Sequence, residues 1–231
     1  DVLGGVKGAD VDELRRIAAV VGSVSLAPEM ITLHDPQKAA FVIVDMQNDF
    51  LPPEGAYARA GISCEAISAL SALLAPVCDA IRRSGGWVVS THFTLVPGRD
   101  AEPFISEHLQ ELRPFLAKGD FSPGSFGHAL IEELSPADLS VEKVAYSAFY
   151  MSRLEWVLHQ AGITHLVAGG IVTNGGVAST VRDAHVHGFE VTVLSDGCAA
   201  FDQQVHDVNL EALGSIARLT NCAALINQLS G

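Results

Sequence analysis

Two charged side chains and one glycine fall where predicted strands of this sequence end. Asp45 directly follows an apolar run, and Lys143 ends a short strand predicted at residues 139–143. Gly176 lies in the turn that leaves a strand predicted at residues 165–169. Ligands of open parallel sheets bind beyond the carboxyl ends of the strands, so these three positions should share one crevice. An acid beside a cation in such a crevice can transfer a proton and stabilise developing charge.

Each charged residue also has a structural interpretation. Asp45 could simply cap the helix that follows it. Lys143 is the only lysine between residues 119 and 231. It could be an edge-strand lysine whose ammonium reaches solvent, but its burial would be costly unless a carboxylate pairs with it. The residues alone leave both interpretations open.

From residue 39 onward, apolar runs alternate with helical patterns. The predicted strands are residues 41–44, 87–91, 139–143, 165–169 and 189–194, and the predicted helices are residues 64–83, 152–160, 175–187 and 206–217. Residues 223–226 could close the sheet or begin a final helix. The alternation predicts a three-layer α/β/α fold, in which helices cover both faces of a mostly parallel, Rossmann-like sheet of about six strands.

Two segments fall outside this alternation. Residues 92–139 are rich in proline turns, and so long a loop in a compact domain is usually functional. We interpret it as the covering of an active site. Residues 9–22 have apolar residues at helical spacing, which predicts an N-terminal helical extension over residues 1–37 before a single domain at 38–231.

Composition argues against several classes of partner. The chain of 231 residues has 14 Lys and Arg against 27 Asp and Glu, a formal net charge of −13. This acidity argues against nucleic acid or an anionic membrane as a partner. The four cysteines have no paired spacing, and no apolar run approaches the roughly 20 residues that span a bilayer. No secretory signal is visible, so we expect a cytoplasmic protein.

Three segments resemble the isochorismatase-like, or cysteine hydrolase, superfamily. They are residues 39–50 (AAFVIVDMQNDF), 141–149 (VEKVAYSAF) and 170–177 (GIVTNGGV). The resemblance implies that Asp45 and Lys143 are two members of a catalytic triad. Gly176 stands where most relatives carry the nucleophilic Cys, 33 positions after Lys143. The resemblance covers residues 38–227 and implies a homo-oligomer that acts on a small-molecule substrate without a cofactor.

The resemblance also implies roles for neighbouring residues. The implied substrate-binding side chains are Phe50, Tyr146, Phe149, Thr173 and Asn174. Gly176 should leave space for substrate or water, and the helix that starts beside it can present N–H groups to an oxyanion or a carboxylate. A non-proline cis peptide bond is implied between Val172 and Thr173.

Two further side chains could bind substrate from the segment after the second strand. His92 could donate a hydrogen bond to substrate or make a structural one. Arg99, on the covering loop, could clamp a carboxylate or be an ordinary surface arginine. Nicotinamidases of this superfamily bind metal through an Asp-x-His arrangement near this segment, and residues 91–93 (THF) do not supply it. We therefore expect no metal.

The missing cysteine leaves three functions open. The first is a metal-independent hydrolase of a small anionic metabolite such as isochorismate, with Asp45 as general acid, Lys143 as electrostatic partner and no covalent cysteine intermediate. The second is an amide or ureido hydrolase that uses activated water. The third is a catalytically silent homologue that binds a metabolite. A neighbouring Lys lowers the pKa of an Asp whereas burial raises it, and the sequence does not decide which effect dominates.

Overall fold

One parallel sheet of six strands organises the chain. The computed structural model describes residue 33 and residues 35–230, so the predicted helix at 9–22 lies outside the described residues. The strands are β1 (Ala39–Val44), β2 (Trp87–Phe93), β3 (Leu139–Lys143), β4 (His165–Ile171), β5 (Glu190–Ala199) and β6 (Arg218–Thr220). Their order is β3-β2-β1-β4-β5-β6, and every neighbouring pair is parallel. The order reverses between β1 and β4, which is where such sheets open a ligand crevice.

Helices flank this sheet, and none of those described is long and apolar enough to cross a membrane. They are α1 (Ala56–Arg59), α2 (Glu65–Ser68), α3 (Leu70–Arg83), α4 (Glu107–Leu112), α5 (Leu154–Gln160), α6 (Ala178–Val186), α7 (Gln203–Leu213) and α8 (Cys222–Leu229). The three-layer α/β prediction is thus confirmed. Residues 223–226 belong to α8, because the side chain of Asn221 accepts a hydrogen bond from the N–H of Ala224, 2.7 Å away, and caps that helix.

The central strand β1 is buried on both faces. Alternate residues Ala40, Val42 and Val44 belong to the core under α5 and α6, while Phe41 and Ile43 belong to the core under α3 and α8. This burial explains why β1 is a continuous apolar run in the sequence rather than an alternating one. It also means that Asp45, the next residue, directly follows the most buried strand of the sheet.

The covering loop between β2 and β3 is fastened to the segment after β1 by buried polar side chains. Asp49 is 3% exposed, and its carboxylate accepts hydrogen bonds from the N–H of Ala56 at 3.0 Å and of Phe121 at 2.6 Å. Gln47 donates to the carbonyl oxygens of Phe93 and His128, both at 3.0 Å. Asp49 therefore serves the architecture of the loop, and its carboxylate is occupied by main-chain donors.

We expect Asp49→Ala to lower the free energy of unfolding by about 3 kcal/mol, because it leaves two buried N–H groups without their charged acceptor. Urea unfolding would measure the loss. The matched control is Asp79→Ala, which removes a side chain 66% exposed on α3 and should change stability by less than about 0.5 kcal/mol. Equal stability of the two variants would show that Asp49 does not fasten the loop.

Candidate active site

Asp45 is the first residue beyond β1 and turns into the crevice. Its backbone has a φ of 55°, in the left-handed region that residues other than glycine adopt rarely. Its N–H donates to the carbonyl oxygen of Thr91 on β2, 3.1 Å away. The side chain is almost fully buried, with 6% of the residue exposed. The neighbouring strand thus holds the turn that aims this carboxylate.

Lys143 ends β3 and meets Asp45 across the end of β2. Its Nζ lies 2.7 Å from Asp45 Oδ2, and the Lys143 residue is 2% exposed. The ammonium also donates to the carbonyl oxygen of Ala145 at 2.9 Å and lies 5.7 Å from the centre of the Phe93 ring. The structure therefore brings the two predicted catalytic residues together as a buried ion pair rather than leaving Lys143 in solvent.

Burial raises the pKa of Asp45 above its ordinary value. The charge of Lys143 and its hydrogen bond act in the opposite direction, as do His92 and Thr91, but desolvation is the largest effect. A buried carboxyl in apolar surroundings loses the hydration that would stabilise its ionised form. A raised pKa is what a general acid requires.

Gly176 lies against this pair, within a single π-helical turn at Thr173–Val177 that precedes α6. A Cβ at this position would stand 2.9 Å from Asp45 Oδ2, from the Ile171 carbonyl oxygen and from Val44 Cγ1. The expectation that Gly176 leaves free space is therefore wrong, because the acid and the end of β1 pack to within this distance of the Cβ position. No thiol nucleophile stands at this position.

The cysteines of the core do not replace the missing nucleophile. Burial raises the pKa of Cys198 to about 12 and also raises that of Cys222. Both thiols therefore stay protonated at neutral pH, whereas a nucleophile or metal ligand must be the thiolate. Cys198 Sγ lies 3.9 Å from the carbonyl oxygen of Ala168, inside the core beside β4.

A wall of aromatic rings extends from the ion pair. Starting at Phe93, which faces the Lys143 ammonium, ring centres follow at 5.2 Å to Phe121, then 4.6 Å to Phe50 and 4.9 Å to Tyr57. Phe50 was predicted as part of a substrate wall, and the structure places it in this row. Tyr57 was not predicted, because it lies outside every predicted helix and strand and carries no periodic or motif signal.

The turn after β4 brings two more predicted residues to the crevice and reveals an unpredicted partner. Thr173 is fully buried, and its Oγ1 lies 2.8 Å from Nδ1 of His206 on α7. Asn174 is exposed beside it. The non-proline cis peptide bond joins Ile171 to Val172, not Val172 to Thr173 as expected, because β4 runs to Ile171 and the turn begins there.

Tyr146 lies at the rim of the same turn, with 60% of the residue exposed. A Cβ on Gly175 would stand 3.2 Å from a ring carbon of Tyr146, so the ring lies against the turn. Phe149, in contrast, packs in the core against His187 at 5.0 Å and Phe189 at 5.9 Å, beyond the far end of α6. The structure thus brings Tyr146 to the crevice, and Phe149 belongs to the packing beneath it.

His92 is held in a polar network beneath the crevice. Its Nδ1 donates to the carbonyl oxygen of His128 at 2.9 Å, and its Nε2 accepts from Ser90 Oγ at 2.8 Å. Burial lowers the pKa of His92. It also lowers the pKa of His128 to about 4. Nε2 of His128 lies 2.8 Å from Thr94 Oγ1. Both ring nitrogens of His92 have protein partners, which favours the structural alternative for this residue.

Arg99 lies exposed in a short 3₁₀ turn of the covering loop, and its role as a carboxylate clamp stays a prediction. Within residues 35–230, no group of three or more His, Cys, Asp or Glu side chains is placed to hold a metal ion. A reaction without a metal stays a prediction.

The chain matches known proteins over nearly all of its described length. The family model for the isochorismatase domain matches residues 39–224. The fold is similar to a cysteine hydrolase from Pseudomonas syringae pv. phaseolicola 1448A, with a TM-score of 0.74 and 22% identity over 90% of this chain and 99% of that one. It is also similar to N-carbamoylsarcosine amidase from Thermoplasma acidophilum, with a TM-score of 0.62 and 26% identity over 80% and 96%. A third similar structure is the pyrazinamidase of Pyrococcus horikoshii, solved in complex with zinc. Its TM-score is 0.65 and its identity is 22%, over 80% of this chain and 99% of that one.

We expect Gly176→Ala to destabilise the protein by about 1–3 kcal/mol, because the added methyl group meets the Asp45 carboxylate and a backbone carbonyl at once. Thermal and urea unfolding would measure this. Ser179→Ala, a half-buried position one turn later, removes volume rather than adding it and is the control. A Gly176→Ala protein as stable as the parent would show that the crevice accepts a side chain here.

The buried His128 predicts loss of stability on acidification. The folded state binds its proton only near pH 4, whereas the unfolded chain binds it near pH 6.5. Stability is therefore complete above about pH 6.5 and falls as the pH drops toward 4, by up to about 3 kcal/mol. Urea unfolding of His128→Asn should show a shallower dependence over this range. His108→Asn, at an exposed position on α4, should keep the parental slope, and a parental slope in His128→Asn would contradict the assignment.

Proposed function

The chain belongs to the isochorismatase family and is a hydrolase, and we propose that it hydrolyses a small anionic metabolite without a covalent cysteine intermediate. Asp45 is the general acid and base in this proposal, and Lys143 is its electrostatic partner. The observation that supports it most directly is the buried pair of these two residues at 2.7 Å, with the pKa of Asp45 raised and Gly176, which has no nucleophilic side chain, beside it.

Burial stabilises Asp45 before proton transfer, and Lys143 stabilises it afterwards. Burial favours the neutral acid, which carries the proton to be donated. Once the proton has left, the carboxylate remains beside the Lys143 ammonium and is stabilised by it. This arrangement suits a reaction that begins with protonation of the substrate and does not require a nucleophilic side chain.

Hydrolysis of a vinyl ether has these requirements. The proton of Asp45 adds to the terminal carbon of the C=C bond, whose electron pair forms the new C–H bond. Positive charge then lies on the other alkene carbon and the ether oxygen. Water adds to that carbon and returns a proton to the Asp45 carboxylate. The resulting hemiketal expels the alcohol, which takes the hydroxyl proton, and a ketone remains. We therefore favour an enolpyruvyl ether such as isochorismate over other anions.

Hydrolysis of an amide or ureido bond is the second candidate. It is supported by the 26% identity to N-carbamoylsarcosine amidase over 80% of this chain. With glycine at position 176, the attack would have to come from water activated by the Asp45 carboxylate, rather than from a thiolate. The two candidates demand opposite starting protonation states of Asp45, so the pH profile of the rate distinguishes them: an acid-first rate falls as the pH rises, and a base-first rate falls as the pH drops.

We also propose that the chain forms a homo-oligomer. Several large apolar residues of the described part are highly exposed, among them Met151 at 80%, Val186 at 78% and Trp156 at 66%. The Glu155 carboxylate of α5 lies 3.0 Å from His187, just after α6, so the helix ends that carry Trp156 and Val186 adjoin, and exposed apolar surface of this kind is typical of contact sites between proteins.

The decisive assay is pyruvate release from isochorismate by the parent and by Asp45→Asn. The amide keeps the shape of the side chain but cannot donate the proton as a carboxylic acid, so we expect a loss of about 10²–10⁴-fold in rate. Asp79→Asn, on the exposed face of α3, should retain parental activity. Ammonia release from an N-carbamoyl amino acid is measured on the same preparations. Ammonia without pyruvate would move the assignment to the second candidate, and activity unchanged in Asp45→Asn would remove Asp45 from the chemistry.

A further inference from the structure

The anionic substrate of the proposed function needs a cation, and Lys143 is not available for this purpose. Its ammonium contacts Asp45 at 2.7 Å and the Ala145 carbonyl oxygen at 2.9 Å, and it faces the Phe93 ring at 5.7 Å. An ammonium has three donors. Two of the three are occupied by protein oxygens and the residue is only 2% exposed, so a substrate carboxylate has almost no access to the third.

A second cation lies at the other end of the aromatic wall. Arg113, just after α4, donates from Nε to the hydroxyl oxygen of Tyr57 at 3.2 Å and from Nη1 to the carbonyl oxygen of Leu112 at 2.9 Å. The residue is half-buried. These bonds use two of the five N–H donors of a guanidinium and fix its plane.

Tyr57 connects Arg113 to the crevice. The tyrosine is 8% exposed, and its ring packs against Phe50 at 4.9 Å and stacks on Phe201 at 5.8 Å. Burial raises the pKa of Tyr57 and Arg113 opposes this, while the charges of Tyr146 and Asp45 add to the increase. The hydroxyl is thus within electrostatic reach of both the catalytic acid and the rim of the catalytic turn.

From this geometry we infer that Arg113, rather than Lys143 or Arg99, binds the carboxylate of the substrate, and that the rings of Phe50 and Tyr57 contact a flat, unsaturated part of the same molecule. The substrate class is therefore a small carboxylic acid with a planar carbon skeleton. The inference rests on the proposed function for its anion, but the binding it describes does not require turnover.

A matched pair of probes isolates the charge. Benzoate and benzamide share a planar ring and nearly the same shape, and only benzoate carries a carboxylate. We expect the parent to bind benzoate more tightly than benzamide in calorimetric titrations. Arg113→Gln should weaken benzoate about tenfold or more and leave benzamide unchanged, because a charged hydrogen bond is lost only in the first case. Arg113→Lys keeps the charge without the planar fork and should retain part of the preference.

Arg83→Gln, at an exposed position of α3, is the control and should bind both probes as the parent does, and Arg99→Gln tests the alternative cation. Thermal unfolding of each variant establishes that it is folded before titration, and Arg113→Lys provides the comparison if Arg113→Gln is not. Three results would overturn the inference: no preference for benzoate in the parent, parental affinity in the folded Arg113 variants, or a selective loss of benzoate in Arg99→Gln. If the affinities are as expected but isochorismate is not hydrolysed, the proposed reaction is wrong and the carboxylate site at Arg113 is still supported.

Discussion

The structure depends on a carboxylate and an ammonium that are buried together. Transferring either ion alone from water into the interior costs several kcal/mol, and removing one partner leaves the other uncompensated. Asp45 and Lys143 come from β1 and β3, which are separated by β2 in the sheet. They can meet at 2.7 Å only because both side chains reach over the carboxyl end of β2, where Thr91 accepts the Asp45 N–H. The parallel order of the strands is thus a requirement of the ion pair as well as of the core.

Close approach of the turn after β4 completes this arrangement. At Gly170, with a φ of 115°, a Cβ would stand 2.2 Å from the Val44 carbonyl oxygen, so only a glycine allows the two strands to come this near. Gly176, one turn later, has the Asp45 carboxylate within 2.9 Å of its Cβ position. The two glycines together bring a helix start against the acid. Position 176 therefore has no nucleophilic side chain, and the Asp45 carboxylate and the Ile171 carbonyl oxygen pack close to it. Lys143 contacts the same carboxylate.

In the proposed function, the covering loop supplies the features that distinguish substrates. Polar side chains after β1 fasten it, and its aromatic residues continue the row of rings that begins beside Lys143. The loop also carries Arg113, whose orientation is fixed by Tyr57 from the segment after β1. In the proposed function, chemistry thus resides on strand ends, which the sheet holds rigidly, and recognition resides on a loop that can vary in sequence without disturbing the sheet. This division is how related hydrolases can share one fold and act on different bonds.

The sequence by itself determined the fold and the positions of Asp45 and Lys143 at strand ends, because both depend on local patterns. Alternating apolar runs and helices define a parallel sheet, and the strand ends define the crevice. For β3, the predicted bounds, residues 139 and 143, are the observed ones. The tertiary structure decided what depends on contacts distant in sequence. Whether burial or Lys143 controls the pKa of Asp45 depends on solvent exclusion by the whole domain. The roles of Tyr57, His128 and His206 arise from partners 33 to 81 residues away in the sequence. No pattern within a segment encodes such distances, because they are set by how the layers pack.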